Sequence, residues 1–161
     1  MEEKAKKIKI LFLDVDGVLT DGKIIINNKG EETKAFNVKD GLGLKRLMKH
    51  GIQVVWITGR KSRIVEYRAN ELGIREVYQA VKDKGMLLKK IMAKKGFIKE
   101  NVCSMGDDIP DLAMFEVTGL SIAVADAVRE IRMAADFITR TRGGQGAVRE
   151  ACEWLLQCQD G

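Results

Sequence analysis

The 161-residue chain contains a single proline, Pro110, and no Pro-, Gly- or Ser-rich tract, so it offers neither a candidate linker nor a low-complexity segment. Cysteine is also sparse. Cys103, Cys152 and Cys158 are odd in number and lack the paired spacing of a thiolate metal site, which argues against a disulfide framework and for reduced packing thiols in a cytoplasmic protein. No long hydrophobic run occurs either: the basic start MEEKAKKIKI leads into an apolar stretch that Asp14 and Asp16 interrupt, which excludes a signal-peptide core or a membrane span. The formal net charge of +5 is spread over Lys-rich segments with no block of one sign. Neither a nucleic acid nor a membrane is therefore an expected partner, whereas a small anionic substrate is compatible.

The most regular feature is a rhythm of glycines. Gly51, Gly73, Gly96 and Gly119 recur at intervals of 22, 23 and 23 residues, each after an amphipathic segment and before Ile, Ile, Phe or Leu. Helix, glycine cap and short apolar strand at that interval are what consecutive βα units produce. The pattern predicts a Rossmann-like, three-layer α/β/α domain over residues 1–161, with a central parallel sheet covered by helices on both faces. Strands are expected near 8–14, 52–58, 76–78, 102–105 and 120–124, and helices near 42–50, 63–72, 85–95, 109–115, 127–134 and 147–157. Two β-like arms around Asn28-Lys29-Gly30 predict a hairpin insertion at about 22–37, after the first strand. A Gly-rich turn and a final helix are expected over about 140–158.

Chemistry-bearing residues fall where these strands end, which is where open parallel sheets bind ligands. In LFLDVDGVLT, Asp14 and Asp16 are one residue apart at the close of the first strand, and strand geometry points them the same way. Thr58 closes VVWIT before Gly59-Arg60, Lys84 opens a helix, and MGDDIPD places Asp107, Asp108 and Asp111 after another apolar run. Crowded carboxylates repel unless a cation or a shared proton intervenes, and an all-oxygen set suits a hard divalent ion, Mg2+. Taken singly, Thr58, Asp108 and Asp111 are ordinary helix caps and Lys84 a solvated lysine. The ordered set is what carries the signal.

Phosphate-monoester hydrolysis would use all of these groups. Its barrier must fall by something on the order of 20 kcal/mol, which a carboxylate nucleophile assists by splitting the displacement in two. Asp14 fits that role, and Asp16 fits general acid then base. Mg2+ on Asp14 and Asp107, with the ammonium of Lys84, would offset the repulsion between anions. The Thr58 hydroxyl would bind a phosphoryl oxygen. Gly17 would free the backbone so that the Asp16 carbonyl faces the metal, and Asp108 or Asp111 would orient the metal's outer partners.

DVDGVLT, ITGR, the lysine of VKDKG and GDDIPD together resemble, in order, the four-motif signature of the haloacid dehalogenase superfamily of phosphohydrolases. The resemblance implies the same assignments for Asp14, Asp16, Thr58, Lys84 and Asp107. Such enzymes carry a cap domain after the first motif or between the second and third, and neither gap here has room for one. A capless site open to water is expected to be closed by a neighbouring subunit, and the apolar arm Ile24-Ile25-Ile26 makes a homo-oligomer, specifically a homotetramer, the expected state. The alternative is a hairpin folded back on its own domain.

DVDGVLTDG, KDGLG, ITGRKS, VGLSIAVADA and TRGGQGAVRE are most similar to the 3-deoxy-D-manno-octulosonate 8-phosphate phosphatases of lipopolysaccharide synthesis. That resemblance implies a capless, Mg2+-dependent tetramer in which a Gly-rich element, here Arg140, Arg142, Gly143, Gly144 and Gly146, reaches toward an adjoining site. A sugar acid phosphate carries a second charge, for which Arg60, Lys61 and Arg142 are candidate clamps; Gly17, Thr20 and Gly59 complete the candidate substrate contacts. Two alternatives stay open: a phosphatase for a nine-carbon sugar acid 9-phosphate, and a non-catalytic phosphatase-like oligomerisation module. A phospho-acceptor receiver domain is disfavoured, because its adjacent acidic pair comes first, whereas here D-x-D comes first and the DD pair late.

Overall fold

The structure, a computed structural model, describes all of residues 1–161. Six parallel strands form the central sheet: β1 (Ile10–Leu13), β4 (Gln53–Ile57), β5 (Glu76–Tyr78), β6 (Val102–Gly106), β7 (Leu120–Ala123) and β8 (Phe137–Ile138), in the spatial order β5-β4-β1-β6-β7-β8. A separate antiparallel hairpin, β2 (Ile25–Ile26) and β3 (Glu32–Thr33), follows β1. Seven α-helices complete the fold: α1 (Glu2–Ala5), α2 (Val38–Lys49), α3 (Arg63–Leu72), α4 (Lys84–Lys95), α5 (Leu112–Val117), α6 (Arg129–Ala134) and α7 (Ala147–Asp160). No cap domain is present, and no helix is long and apolar enough to cross a membrane.

Burial explains the strand sequences. Ile10, Leu11, Phe12 and Leu13 are all fully buried, because a central parallel strand has helices on both faces and so reads as a continuous apolar run. The helices show one apolar stripe instead. In α7, Ala147, Val148, Ala151, Cys152, Leu155 and Leu156 are buried at helical spacing, and this face packs on α2.

The glycine rhythm has two physical origins. Gly73 and Gly96 cap α3 and α4 in the left-handed region (φ 75° and 71°), where a β-carbon is disfavoured. Gly51 has φ 97° one residue beyond the cap of α2. Gly119, expected to be such a cap, has no positive φ; a β-carbon there would lie 2.6 Å from the Lys99 carbonyl oxygen, so close backbone approach is its reason. The sixth strand, β8, corrects the five-strand expectation. Its two residues lie at the sheet edge, and Phe137 stacks on Trp154 (ring centroids 4.4 Å apart), a tertiary contact with no local sequence signal. The expected helix at 109–115 is a 3-10 turn, Ile109–Asp111, followed by α5.

Sheet order reverses at β1: the chain runs outward through β4 and β5, then returns to place β6 on the other side. The crevice beyond the carboxyl ends of β1 and β6 is therefore the topological switch point.

Candidate active site

Register brings the candidate residues together. Leu13 pairs with Trp56 on one side and Met105 on the other, and the Asp14 N–H continues the ladder to the Met105 carbonyl at 3.1 Å. Asp14, Thr58 and Asp107 thus emerge from three adjacent strands at one level. They line an open cleft of about 440 Å³ with Asp16, Lys84, Gly59 and Arg60.

Lys84, at the start of α4, donates to Asp14 Oδ1 at 2.8 Å and to Asp111 Oδ1 at 2.6 Å, with all three side chains almost wholly buried. Asp111 Oδ2 accepts the N–H groups of Asp107 (2.9 Å) and Asp108 (3.2 Å), so it fixes the turn that presents Asp107. Asp108 is an N-cap, accepting the Ile109 N–H at 2.8 Å. Thr58 Oγ1 accepts the Arg60 N–H at 3.3 Å, which leaves its own hydrogen free for a ligand.

The cluster has an excess of negative charge. One oxygen each from Asp14, Asp107 and Asp111 lie within 4.8 Å of one another, and against these three carboxylates there is one ammonium, Lys84. Asp107 Oδ1 is buried and has no partner. Burial pushes the Asp14 and Asp107 carboxyls up; the Asp111 charge adds to this at Asp14, which Lys84 opposes, and Asp14 itself adds to it at Asp107. Three clustered carboxyls against one ammonium, oxygen donors only and an orphaned carboxyl oxygen fit a hard divalent cation. Gly17 serves the same geometry. At φ 90° it lies so close to Asp107 that a β-carbon would overlap the carboxylate.

Four expected substrate contacts are not on the cleft wall, although Gly17 lies directly against Asp107. Gly17, Thr20, Lys61 and Arg142 do not line the cleft. Thr20 staples the loop instead, its Oγ1 accepting the Gly17 and Gly22 N–H groups at 3.2 Å each, a local hydrogen-bonding habit of threonine that competes with a ligand role. Arg142 is exposed. The Gly-rich turn reaches this chain's own site: Gly143 donates to Asp126 Oδ1 (2.9 Å) and Gly144 to the Val18 carbonyl (3.0 Å). Arg60 remains in the cleft but pairs with Glu32 of the hairpin at 3.2 Å. Two basic residues went unnoticed in the sequence. Lys82 lines the cleft, overlooked beside Lys84 in VKDKG, and Lys34 contacts Asp16 at 2.5 Å from a hairpin that has no motif to mark it.

Residues 73–150 match the model of the haloacid dehalogenase-like hydrolase family. The chain is 47% identical over 156 residues to the 3-deoxy-D-manno-octulosonate 8-phosphate phosphatase KdsC of Escherichia coli K12, covering 97% of this chain and 83% of the relative. The 3-deoxy-D-manno-octulosonate 8-phosphate phosphatase of Moraxella catarrhalis, solved with a magnesium ion, a phosphate ion and a KDO molecule, superposes with TM-score 0.96 at 45% identity, covering 99% of this chain and 91% of that one. The cobalt-bound deoxy-D-mannose-octulosonate 8-phosphate phosphatase of Haemophilus influenzae gives TM-score 0.94 at 41% identity, covering 98% and 92%. With its fold, its ordered motifs and these similarities, the chain belongs to the 3-deoxy-D-manno-octulosonate 8-phosphate phosphatases of the haloacid dehalogenase-like hydrolases.

Proposed function

We propose that this chain is a Mg2+-dependent phosphomonoesterase that hydrolyses 3-deoxy-D-manno-octulosonate 8-phosphate to the free sugar acid and phosphate through an aspartyl-phosphate. The observation that carries this reading is the buried Asp14–Lys84–Asp111 arrangement (2.8 and 2.6 Å) beside the unpartnered Asp107 oxygen.

Asp14 attacks phosphorus, and Lys84 holds it in place while offsetting the charge of the incoming phosphate. The Thr58 hydroxyl donates to a phosphoryl oxygen. Asp16 gives a proton to the departing sugar alkoxide, then takes one from the water that opens the aspartyl-phosphate and frees Asp14. Asp14, Asp107 and the Asp16 carbonyl would hold magnesium, which supplies charge neutralisation at the phosphoryl oxygens. Arg60 and Lys82 line the cleft and are the candidate contacts for the substrate carboxylate.

The reading includes a homotetramer in the cytoplasm. Three cysteines free of disulfides agree with the compartment. Ile24, Ile25 and Ile26 are 59, 47 and 61% exposed, which supports hairpin-mediated assembly over a hairpin folded back on its own domain.

Phosphate release from a panel of sugar and sugar-acid phosphates, with Mg2+ or chelator, tests the reading. The eight-carbon acid phosphate should be turned over fastest, chelator should abolish release, and Asp14→Asn should lose on the order of 10³-fold or more in kcat. A nine-carbon acid phosphate preferred over the eight-carbon one overturns the substrate assignment, and activity in chelator overturns the metal.

A further inference from the structure

Asp14 and Asp111 share Lys84, and Asp16 has a partner of its own that comes from outside the four motifs. Lys34, immediately after β3, donates to Asp16 Oδ1 at 2.5 Å and lies 3.0 Å from Glu32 Oε1. Its side chain is only 2% exposed. Glu32 Oε1 in turn meets the Arg60 guanidinium at 3.2 Å. An exposed lysine pair of this kind would mean little; an ammonium withdrawn from water to this degree is held only by carboxylates in fixed positions, and it fixes them in return. Asp16 Oδ1 is thereby engaged, and no other donor of the chain touches that carboxylate. Its second oxygen is left for chemistry in the cleft, which Asp16 lines.

We propose that Lys34 is a positioning residue for the second half of the reaction, holding the Asp16 carboxylate where it accepts a proton from the water that opens the aspartyl-phosphate, with Glu32 steadying Lys34. The inference rests on the covalent reading given above. In that step water attacks phosphorus, the bond between phosphorus and the Asp14 oxygen breaks, Asp14 leaves as a carboxylate, the water proton passes to Asp16, and inorganic phosphate departs. Without Lys34 the Asp16 side chain is released to its other rotamers, and the proton transfer loses its alignment.

An aryl phosphate isolates this step, because p-nitrophenolate leaves without needing a proton. Wild type, Lys34→Met, Lys34→Arg and Glu32→Gln are compared on p-nitrophenyl phosphate at saturating Mg2+. The first-turnover release of nitrophenolate, the steady-state rate, the hydroxylamine-labile phosphoenzyme after acid quench and the thermal midpoint are read for each. Lys34→Met should lower steady-state kcat by about 10- to 100-fold, a fraction of what a positioned proton-transfer group contributes. Its first turnover should stay within about 2-fold of wild type, because that step needs no Asp16 proton, and phosphoenzyme should accumulate. Lys34→Arg should restore most of the rate, and Glu32→Gln should shift it in the same direction by a smaller factor. If first turnover and steady state fall together with no added phosphoenzyme, or if none of the variants changes the partition, Lys34 only ties the hairpin down and the proposal is wrong. If wild type itself forms no hydroxylamine-labile phosphate, the covalent reading fails and the role of Lys34 falls with it.

Discussion

Gly143 lies so close to Gly17 that a β-carbon on it would overlap the Gly17 carbonyl oxygen. The Gly-rich turn before α7 is thus a brace behind the catalytic loop of the same chain. It presses on the backbone that carries Asp16 and Gly17, while Gly144 donates to the Val18 carbonyl at 3.0 Å. Gly17 in turn packs against the Asp107 carboxylate, so backbone contacts run from the C-terminal segment to the cation site.

Gly143→Ala should therefore displace the catalytic loop. We expect kcat to fall by roughly 10- to 100-fold and Mg2+ to bind more weakly, because small misplacements at a reacting centre cost that much. Gly96→Ala is the contrast. Its φ of 71° makes the substitution strained, but nothing lies within 4 Å, so it should cost about 1 kcal/mol of stability and leave turnover intact. Equal turnover for the two variants would remove the brace from the account.

The surplus negative charge predicts that the cation stabilises the fold as well as the reaction. At a hundredfold excess over its dissociation constant, Mg2+ should add about 2.7 kcal/mol, seen as a rise in the thermal midpoint that chelator reverses. Asp107→Asn removes one of three clustered carboxylates and should unfold at a higher temperature than wild type in chelator, with little further gain from Mg2+. An Asp107→Asn midpoint that rises with Mg2+ as much as wild type would place the cation elsewhere.

The parts of the site written in contiguous motifs were legible because strand ends and register carry them to one level: Asp14, Thr58 and Asp107 needed only the parallel-sheet rhythm. Residues joined by side-chain contacts across loops were not. Lys34 lies 18 positions from Asp16, in a hairpin whose pairing has no 3.6-residue period to read. Thr20 looked like a ligand contact because motif proximity does not reveal that its hydroxyl is spent on the loop's own N–H groups. Strand β8 escaped notice since its two residues, of which Phe137 stacks on Trp154, owe their place to tertiary packing, which outweighs local propensity.

The exposed isoleucines predict assembly. Wild type should run as an oligomer in light scattering and Ile25→Asp as a smaller species, since a charge on each copy of a shared apolar patch would be buried at every interface. Turnover of the sugar-acid phosphate should fall with it, more through KM than through kcat, if a neighbour closes the site. A wild-type monomer of full activity would rule the assembly out.

Asp40 supplies a pH signature away from the chemistry. The N-cap position of helix α7 is Gly146, which has no side chain to cap it, and Asp40 of α2 takes over: its Oδ1 accepts the Arg149 N–H at 2.9 Å. Burial raises its carboxyl from 3.8 to about 6, opposed by that hydrogen bond and by Arg68 and Arg149, and Oδ2 has no partner. A folded value above the unfolded one means the folded state holds the proton more tightly. The stabilisation is therefore complete below about 4 and is lost as pH rises through 6. Asp40→Asn keeps the capping oxygen and removes the ionisation, so the variant should gain on wild type by about 2 kcal/mol between pH 4.5 and pH 8, measured by urea unfolding. Asp40→Ala, which also loses the cap, should be destabilised at both pH values by about 1 kcal/mol relative to Asp40→Asn. A wild-type-to-Asn difference that does not change with pH would mean that Asp40 is ionised throughout, held so by Arg68 and Arg149.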